Sequence, residues 1–199
     1  MGAECGNTVR LYASQAEPVW QAIQHDGVAY SKEEYVRKKY GGSAPVFLTA
    51  YRWFVAQLPR FVPKPDGAEF PYWAFGDQYL METGRSSHVL TMDVPVENAV
   101  FFDMYDWNKV VQLKYIGETE SDERAFQREL KERGILPADV MLTNFYPDLK
   151  QAIYDSWQRI FRHHEALKRG EAVNIHSLQA GLWCIRKEWV LKDNSIPLK

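Results

Sequence analysis

The side chains in this sequence best suited to holding a planar, polar small molecule are the glutamines Gln15 and Gln179 and the rings of Tyr12, Trp73 and Trp183. A carboxamide donates and accepts hydrogen bonds at once, as recognition of a nucleobase or of another amide requires. Indole and phenol rings supply the flat apolar surface on which such a group stacks. Asp103, Asp106 and Arg159 are polar partners for the rest of the ligand. Together these residues form the candidate ligand-binding set, with no catalytic residue assigned among them.

Other chemistries were tested against spacing. Asp103 and Asp106 are three residues apart on a predicted helix and share a face, which suits a divalent cation or an acid–base pair, although aspartate at a helix start also serves as a cap. A metal-dependent hydrolase would require one of them to meet a histidine. His163, His164 and His176 cluster in sequence with Glu165 and Glu171. Adjacent helical side chains diverge by about 100°, so His163 and His164 cannot share an ion, and the run reads as a basic helix end with no metal assigned. Cys184 falls on the apolar face of a predicted strand, where cysteine behaves as a small hydrophobe. In Ser86-Ser87-His88, strand alternation leaves Ser86 and His88 on one face. No glycine-rich phosphate loop, dinucleotide-binding glycine pattern or Cys-x-x-Cys pair is present.

Composition narrows the class. The 199 residues are 46% hydrophobic and 25% charged, and 26 acidic against 24 basic side chains leave a net charge of -2. These values exclude a disordered or strongly basic chain. Basic residues such as Arg37-Lys38-Lys39 and those between Arg159 and Lys168 are dispersed among acids, so no extended nucleic-acid footprint is expected. The outlying value is the aromatic fraction, 14%, with seven tryptophans. Cys5 and Cys184 are far apart, which argues against a disulfide and for a reducing compartment. The start, Met1 to Gly6, lacks a secretory pattern, and no apolar run approaches the roughly 20 residues that span a bilayer. The expected location is the cytoplasm, away from membranes.

The elements that would position these groups follow from periodicity. Val9–Ala13 predicts a strand, with Ser14 as cap of a helix over about 16–25 that ends at Gly27. Phe47, Ala50, Tyr51, Phe54, Val55 and Leu58 have helical spacing after Pro45. Pro71–Phe75 is an aromatic strand, His88–Val94 alternates, and Ala99–Phe102 returns as a further strand before a helix over 103–113. Ser121 is expected to cap a charged helix ending before Gly134. A helix from Pro147 to about His163 carries Leu149, Ile153, Trp157, Ile160 and Phe161 as one stripe. Ser177–Arg186 reads as a single strand, with Leu178, Ala180, Leu182 and Cys184 on one face and Gln179, Gly181, Trp183 and Ile185 on the other. The expected fold is one α+β domain over 9–191, a small, mainly antiparallel sheet flanked by helices, between a flexible tail at 1–8 and a C-terminal tail at 192–199.

Several segments together resemble a mainly bacterial family of domains of unknown function, number 3841. They are Leu11-Tyr12-Ala13-Ser14-Gln15 with Trp20 and Gly27, Phe70 to Ala74, Met92 to Pro95, and Asp103 with Asp106-Trp107. Ser156 to Phe161, Leu178-Gln179-Ala180 with Trp183, and Glu188-Trp189-Val190 complete the set. That family brings no activity with it. The order of elements is more loosely similar to ADP-ribosyltransferase-like domains, which hold NAD in a cleft between two sheets and use a glutamate near the ribose. Here Ala13 follows Tyr12 where a histidine is common, and Gly181 stands two residues after Gln179 where that glutamate is expected. The similarity implies NAD or another nucleotide-like molecule as ligand, and an ADP-ribosyl transfer if the protein is an enzyme. The competing expectation is a non-enzymatic interaction domain whose aromatic residues are core and interface anchors.

Overall fold

Alternation makes the first strand, β1 (Thr8–Ala16), two-faced: Leu11 and Ala13 are buried, whereas Arg10 is exposed and Tyr12 half-buried on the other side. The computed structural model describes residues 7–81 and 87–193. The Met1–Gly6 start, Cys5 and Ser86, on which expectations were placed above, lie outside the described residues.

After β1 the chain forms α1 (Glu17–Asp26), β2 (Val28–Tyr30), α2 (Glu33–Tyr40), α3 (Ala44–Gln57), β3 (Tyr72–Phe75), β4 (Ser87–Pro95) and β5 (Ala99–Asp103). It continues with α4 (Met104–Val111), α5 (Glu120–Glu132), α6 (Pro137–Leu142), α7 (Pro147–Trp157) and α8 (His164–Lys168). Three strands close it: β6 (Leu178–Leu182), β7 (Cys184–Arg186) and β8 (Val190–Asp193). The main sheet has the order β5-β6-β3-β1-β4-β8 with every neighbouring pair antiparallel, and β2 pairs with β7 in a second, two-stranded sheet. This is the α+β, mainly antiparallel single domain expected from the pattern.

The two faces of the sheet pack separate cores. On one, Val100, Phe102 and Trp73 meet α3, α4 and α7 through Tyr51, Phe54, Trp107 and Trp157. On the other, Leu11, Ala13, Ala74, Leu90, Met92, Phe101, Ala180 and Leu182 meet Ile23 of α1, Ala29 of β2 and Ile185 of β7. Phe54 is fully buried and sits among Trp73, Phe102 and Trp107 at ring-centroid distances of 5.0, 5.4 and 5.2 Å, edge to face. Its ring lies directly on Gly181, where an added Cβ would come within 2.7 Å of Phe54 Cε1.

Several expectations are corrected. Ser14 does not cap α1: β1 stays paired with β4 as far as Ala16, which is the N-cap and makes no side-chain cap bond. Thr119, not Ser121, caps α5, because Thr119 and Asp122 form a reciprocal capping box. The helix from Pro147 ends at Trp157 and tightens into a 3-10 turn over Gln158–Phe161 before α8 begins. The strand read over 177–186 breaks at Trp183 into β6 and β7, which belong to different sheets. Trp183 turns into the helix-side core and donates from Nε1 to Val62 O at 3.0 Å, while Cys184 and Ile185 both join the opposite core. Alternation therefore holds through Cys184 and loses phase at Ile185. β8 extends to Asp193, and α2, α6, α8 and the short β2 had no counterpart in the periodicity.

Histidines hold both edges of the sheet. At β5, the backbone N–H of Phe101 donates to His164 Nδ1 at 3.1 Å, occupying an edge-strand donor. Burial pushes the His164 pKa down, and its neutral ring is a structural acceptor. At the opposite edge, His88 Nε2 lies 2.6 Å from Glu17 of α1 and Nδ1 lies 2.7 Å from Asp193 of β8, with the ring stacked on Trp20. Burial pulls the His88 pKa down, but the hydrogen bonds to the two carboxylates outweigh it and leave it raised.

Two outcomes follow from this packing. Gly181→Ala should lower stability by about 1–3 kcal/mol, because Phe54 is held on all sides, and calorimetry should show a fall of about 2–4 °C per kcal/mol. An unshifted Tm would mean that the ring gives way. For His88, a raised folded-state pKa contributes stability that is complete below the ordinary value of 6.5 and is lost as pH rises through the folded value. The lowered Glu17 pKa, set first by its bond to His88, works in the other direction, its contribution fading as pH falls through the folded value. The Tm deficit of His88→Asn should thus be largest just on the acidic side of neutrality and shrink toward about pH 9.

Candidate ligand-binding site

Cross-strand register lines up one row of side chains on the helix-bearing face: Phe102, Gln179, Phe75, Tyr12, Thr91 and Lys192, in order from β5 to β8. Cover thins along this row. Phe102 and Gln179 are buried, Phe75, Tyr12 and Thr91 half-buried, and Lys192 exposed. Gln179 thus stands at the boundary between the part of the face under helices and the part open to solvent.

Gln179 is only 3% exposed, yet its Oε1 meets no hydrogen-bond partner among the described residues. Two residues earlier, Ser177 Oγ is also buried without a partner, and the period of an extended chain turns both to the same side. An unpaired buried polar atom costs about 1–3 kcal/mol; Gln179 Oε1 can only accept, whereas the Ser177 hydroxyl can donate or accept. Phe75 and Tyr12 continue the row as an aromatic wall. Trp73 lies on the same face opposite Gly181, within 4.5 Å of Trp107 between ring centroids.

The two acids have different partners. Asp103, at the end of β5, caps α4 by accepting from Tyr105 N at 2.9 Å, and it accepts from His176 N at 2.8 Å. Its Oδ2 also lies 3.1 Å from His176 Nδ1. Burial pushes this carboxyl up, but the bonds from His176 and Tyr105 outweigh it and hold it below the usual range. With Nδ1 engaged and the side chain 77% exposed, the His176 ring presents Nε2 to solvent. Asp106 does not share that partner: it pairs with Arg162 at 2.7 Å and with Lys109 at 3.7 Å.

Tyr12, Trp73 and Gln179 therefore share one face, whereas Asp103, at the end of β5, pairs with Leu178 and alternates to the other. Gln15 does not join them. It pairs with His88 on the Leu11–Ala13 side of β1, so the two glutamines face opposite ways. Trp183 is a packing residue bound to Val62, with Lys64 Nζ 5.5 Å from its ring centroid. Arg159 turns to Glu118 at 2.7 Å and to the carbonyl of Ile116 at 3.1 Å, leaving Arg162 to serve Asp106. Spacing alone missed Phe75 and Ser177 as neighbours of the site, and His176 and Arg162 as partners of the two acids. Alternation backward from Gln179 would have found Ser177 and forward from Trp73 would have found Phe75, whereas His176 and Arg162 depend on pairings with no local signal.

Gly181, where the looser resemblance leads one to expect a glutamate, has no room for a side chain. Phe54 fills the space above Gly181, and Ala13, where the histidine would stand, is 1% exposed in the opposite core. Cys184 is a free, buried thiol whose pKa burial pushes up, which suits packing and not attack. Among the described residues no group of three or more His, Cys, Asp or Glu side chains is arranged to hold a metal ion, and no helix is long and apolar enough to cross a membrane.

Gln179→Met should remove the unpaired acceptor at nearly constant volume and raise the Tm of the ligand-free protein by a few degrees, equivalent to about 1–2 kcal/mol. A fall in Tm would show that the amide is already satisfied.

No curated protein and no solved structure matches the chain. The family model described as Domain of unknown function (DUF3841) matches residues 10–191. That span carries most of β1, the aromatic α3 that covers Gly181, and Ser177 and Gln179, and the chain therefore belongs to the DUF3841 family.

Proposed function

We propose that this domain binds a small, planar, nucleotide-like molecule at the open half of the sheet face, with a carboxamide or amino N–H of the ligand donating to Gln179 and Ser177. The unpaired Oε1 of a side chain that is 97% buried carries this reading, since burial without a partner is costly unless something supplies the donor. Tyr12 and Phe75 would stack against the ring. NAD is the first ligand to test, because a nicotinamide supplies the required amide. The filled space above Gly181 argues for binding without the transferase glutamate, so no ADP-ribosyl transfer is assigned. The free Cys184 thiol is compatible with a cytoplasmic setting.

A second reading, a protein-interaction domain, is favoured by the exposed side chains around α6: Phe145 is 80% exposed, Leu136 65% and Leu142 44%.

Titration with NAD, ADP-ribose and nicotinamide, followed by thermal shift, separates the two. Ligand binding predicts a Tm rise at millimolar ligand that is lost in Gln179→Met, since a stabilised native state gains about RT ln(1 + [L]/Kd). No shift with any of the three, or an ordered water seen bridging Ser177 Oγ and Gln179 Oε1, would leave the interaction reading standing.

A further inference from the structure

A second candidate site lies away from the sheet face, where α3, α6 and α7 border an open depression of about 380 Å³ lined by Thr49, Arg52, Trp53, Met141, Lys150 and Tyr154. That volume is at the lower end of the range of small-molecule sites. Helical spacing builds it: Thr49, Arg52 and Trp53 share a stripe of α3, and Lys150 and Tyr154, four residues apart, share one on α7. Its floor is apolar and rigid. Trp53 and Met141 are buried, and Trp53 is held edge-on by Trp157 and stacked on Phe161 at centroid distances of 5.2 and 5.8 Å.

The rim carries more positive charge than its carboxylates balance. Lys150 Nζ donates to two neutral acceptors, Thr143 O at 2.8 Å and Asn144 Oδ1 at 3.2 Å, and no carboxylate pairs with it among the described residues. Arg52 forks onto Glu33 at 2.7 and 3.2 Å, but the same Glu33 also takes Arg37 at 2.6 Å. One carboxylate thus serves two guanidinium groups, in a protein whose net charge is -2. Burial pushes the Tyr154 phenol up, keeping it a neutral O–H donor. Two cations and a hydroxyl over an indole floor select a charged head joined to an apolar body.

We propose that this pocket binds a small organic anion, a carboxylate or phosphate ester whose head is met by Lys150 and Arg52 and whose apolar part lies on Trp53 and Met141. It shares no residue with the Ser177–Gln179 notch and stands independently of the function proposed there.

The test uses the full chain and follows tryptophan fluorescence and calorimetry with phenyl phosphate and benzoate, which distinguish the two head groups, alongside inorganic phosphate and benzyl alcohol. At least one aromatic anion should saturate, with affinity reduced about tenfold or more in Lys150→Met, while phosphate alone and the uncharged alcohol bind more weakly. Arg52→Gln should also weaken binding, which keeps the test decisive if Lys150→Met is poorly folded. Gln179→Met should leave this binding unchanged. Failure of both anions to saturate by about 10 mM, undiminished binding in both rim variants, or loss of binding in Gln179→Met would overturn the assignment.

Discussion

The contact of Phe54 with Gly181 is the constraint on which the rest of the molecule turns. A residue without a side chain lets the α3 ring descend onto the β6 backbone, and the ring then fills the space any larger residue would need. Trp73, Phe102 and Trp107 pack against the sides of that ring, so α3 and α4 are both located relative to the sheet by one aromatic side chain. Edge-to-face packing of this kind is directional as well as apolar, which is why it sets position and not merely burial. The aromatic excess of the composition is largely spent on this layer.

The same layer decides where the sheet is open. Cover is complete at Phe102, survives at Gln179 and fails from Phe75 outward. A buried amide at that boundary, with its carbonyl oxygen unpaired, is expensive in a structure whose other buried polar groups largely find partners. His164 and Asp103 show the contrast, each buried and each engaged by backbone donors. The α3–α6–α7 pocket presents the complementary case, positive charge in excess over an apolar floor.

How much of this was legible in the sequence varies with the range of the interaction involved. Local periodicity located β4, β5, α3 and the Pro147 helix, because period two and period 3.6 are imposed by the backbone itself. It misjudged the Ser14 and Ser121 caps, where strand pairing in one case and a better-placed Thr119 in the other took precedence. It ran one strand through Trp183, since nothing local reveals that the indole N–H will be claimed by the Val62 carbonyl, 121 residues away in the chain. Of the residues grouped by type, Gln179 and Tyr12 share a sheet face, whereas Gln15 was grouped with them only because it too is an amide.

The sequence by itself determined the class of this protein: an α+β domain rich in aromatic core residues, with a charge balance unsuited to broad nucleic-acid contact and with motifs of the DUF3841 family spread along most of its length. Only the tertiary structure decided which of those residues meet. Placing Gln15 and Gln179 on opposite faces, pairing Asp103 with His176 and Asp106 with Arg162, and seating Phe54 on Gly181 all depend on strand order and register. Those are properties of pairings between distant segments, whose closure is governed by the packing of the whole sheet and leaves no periodic trace in the chain.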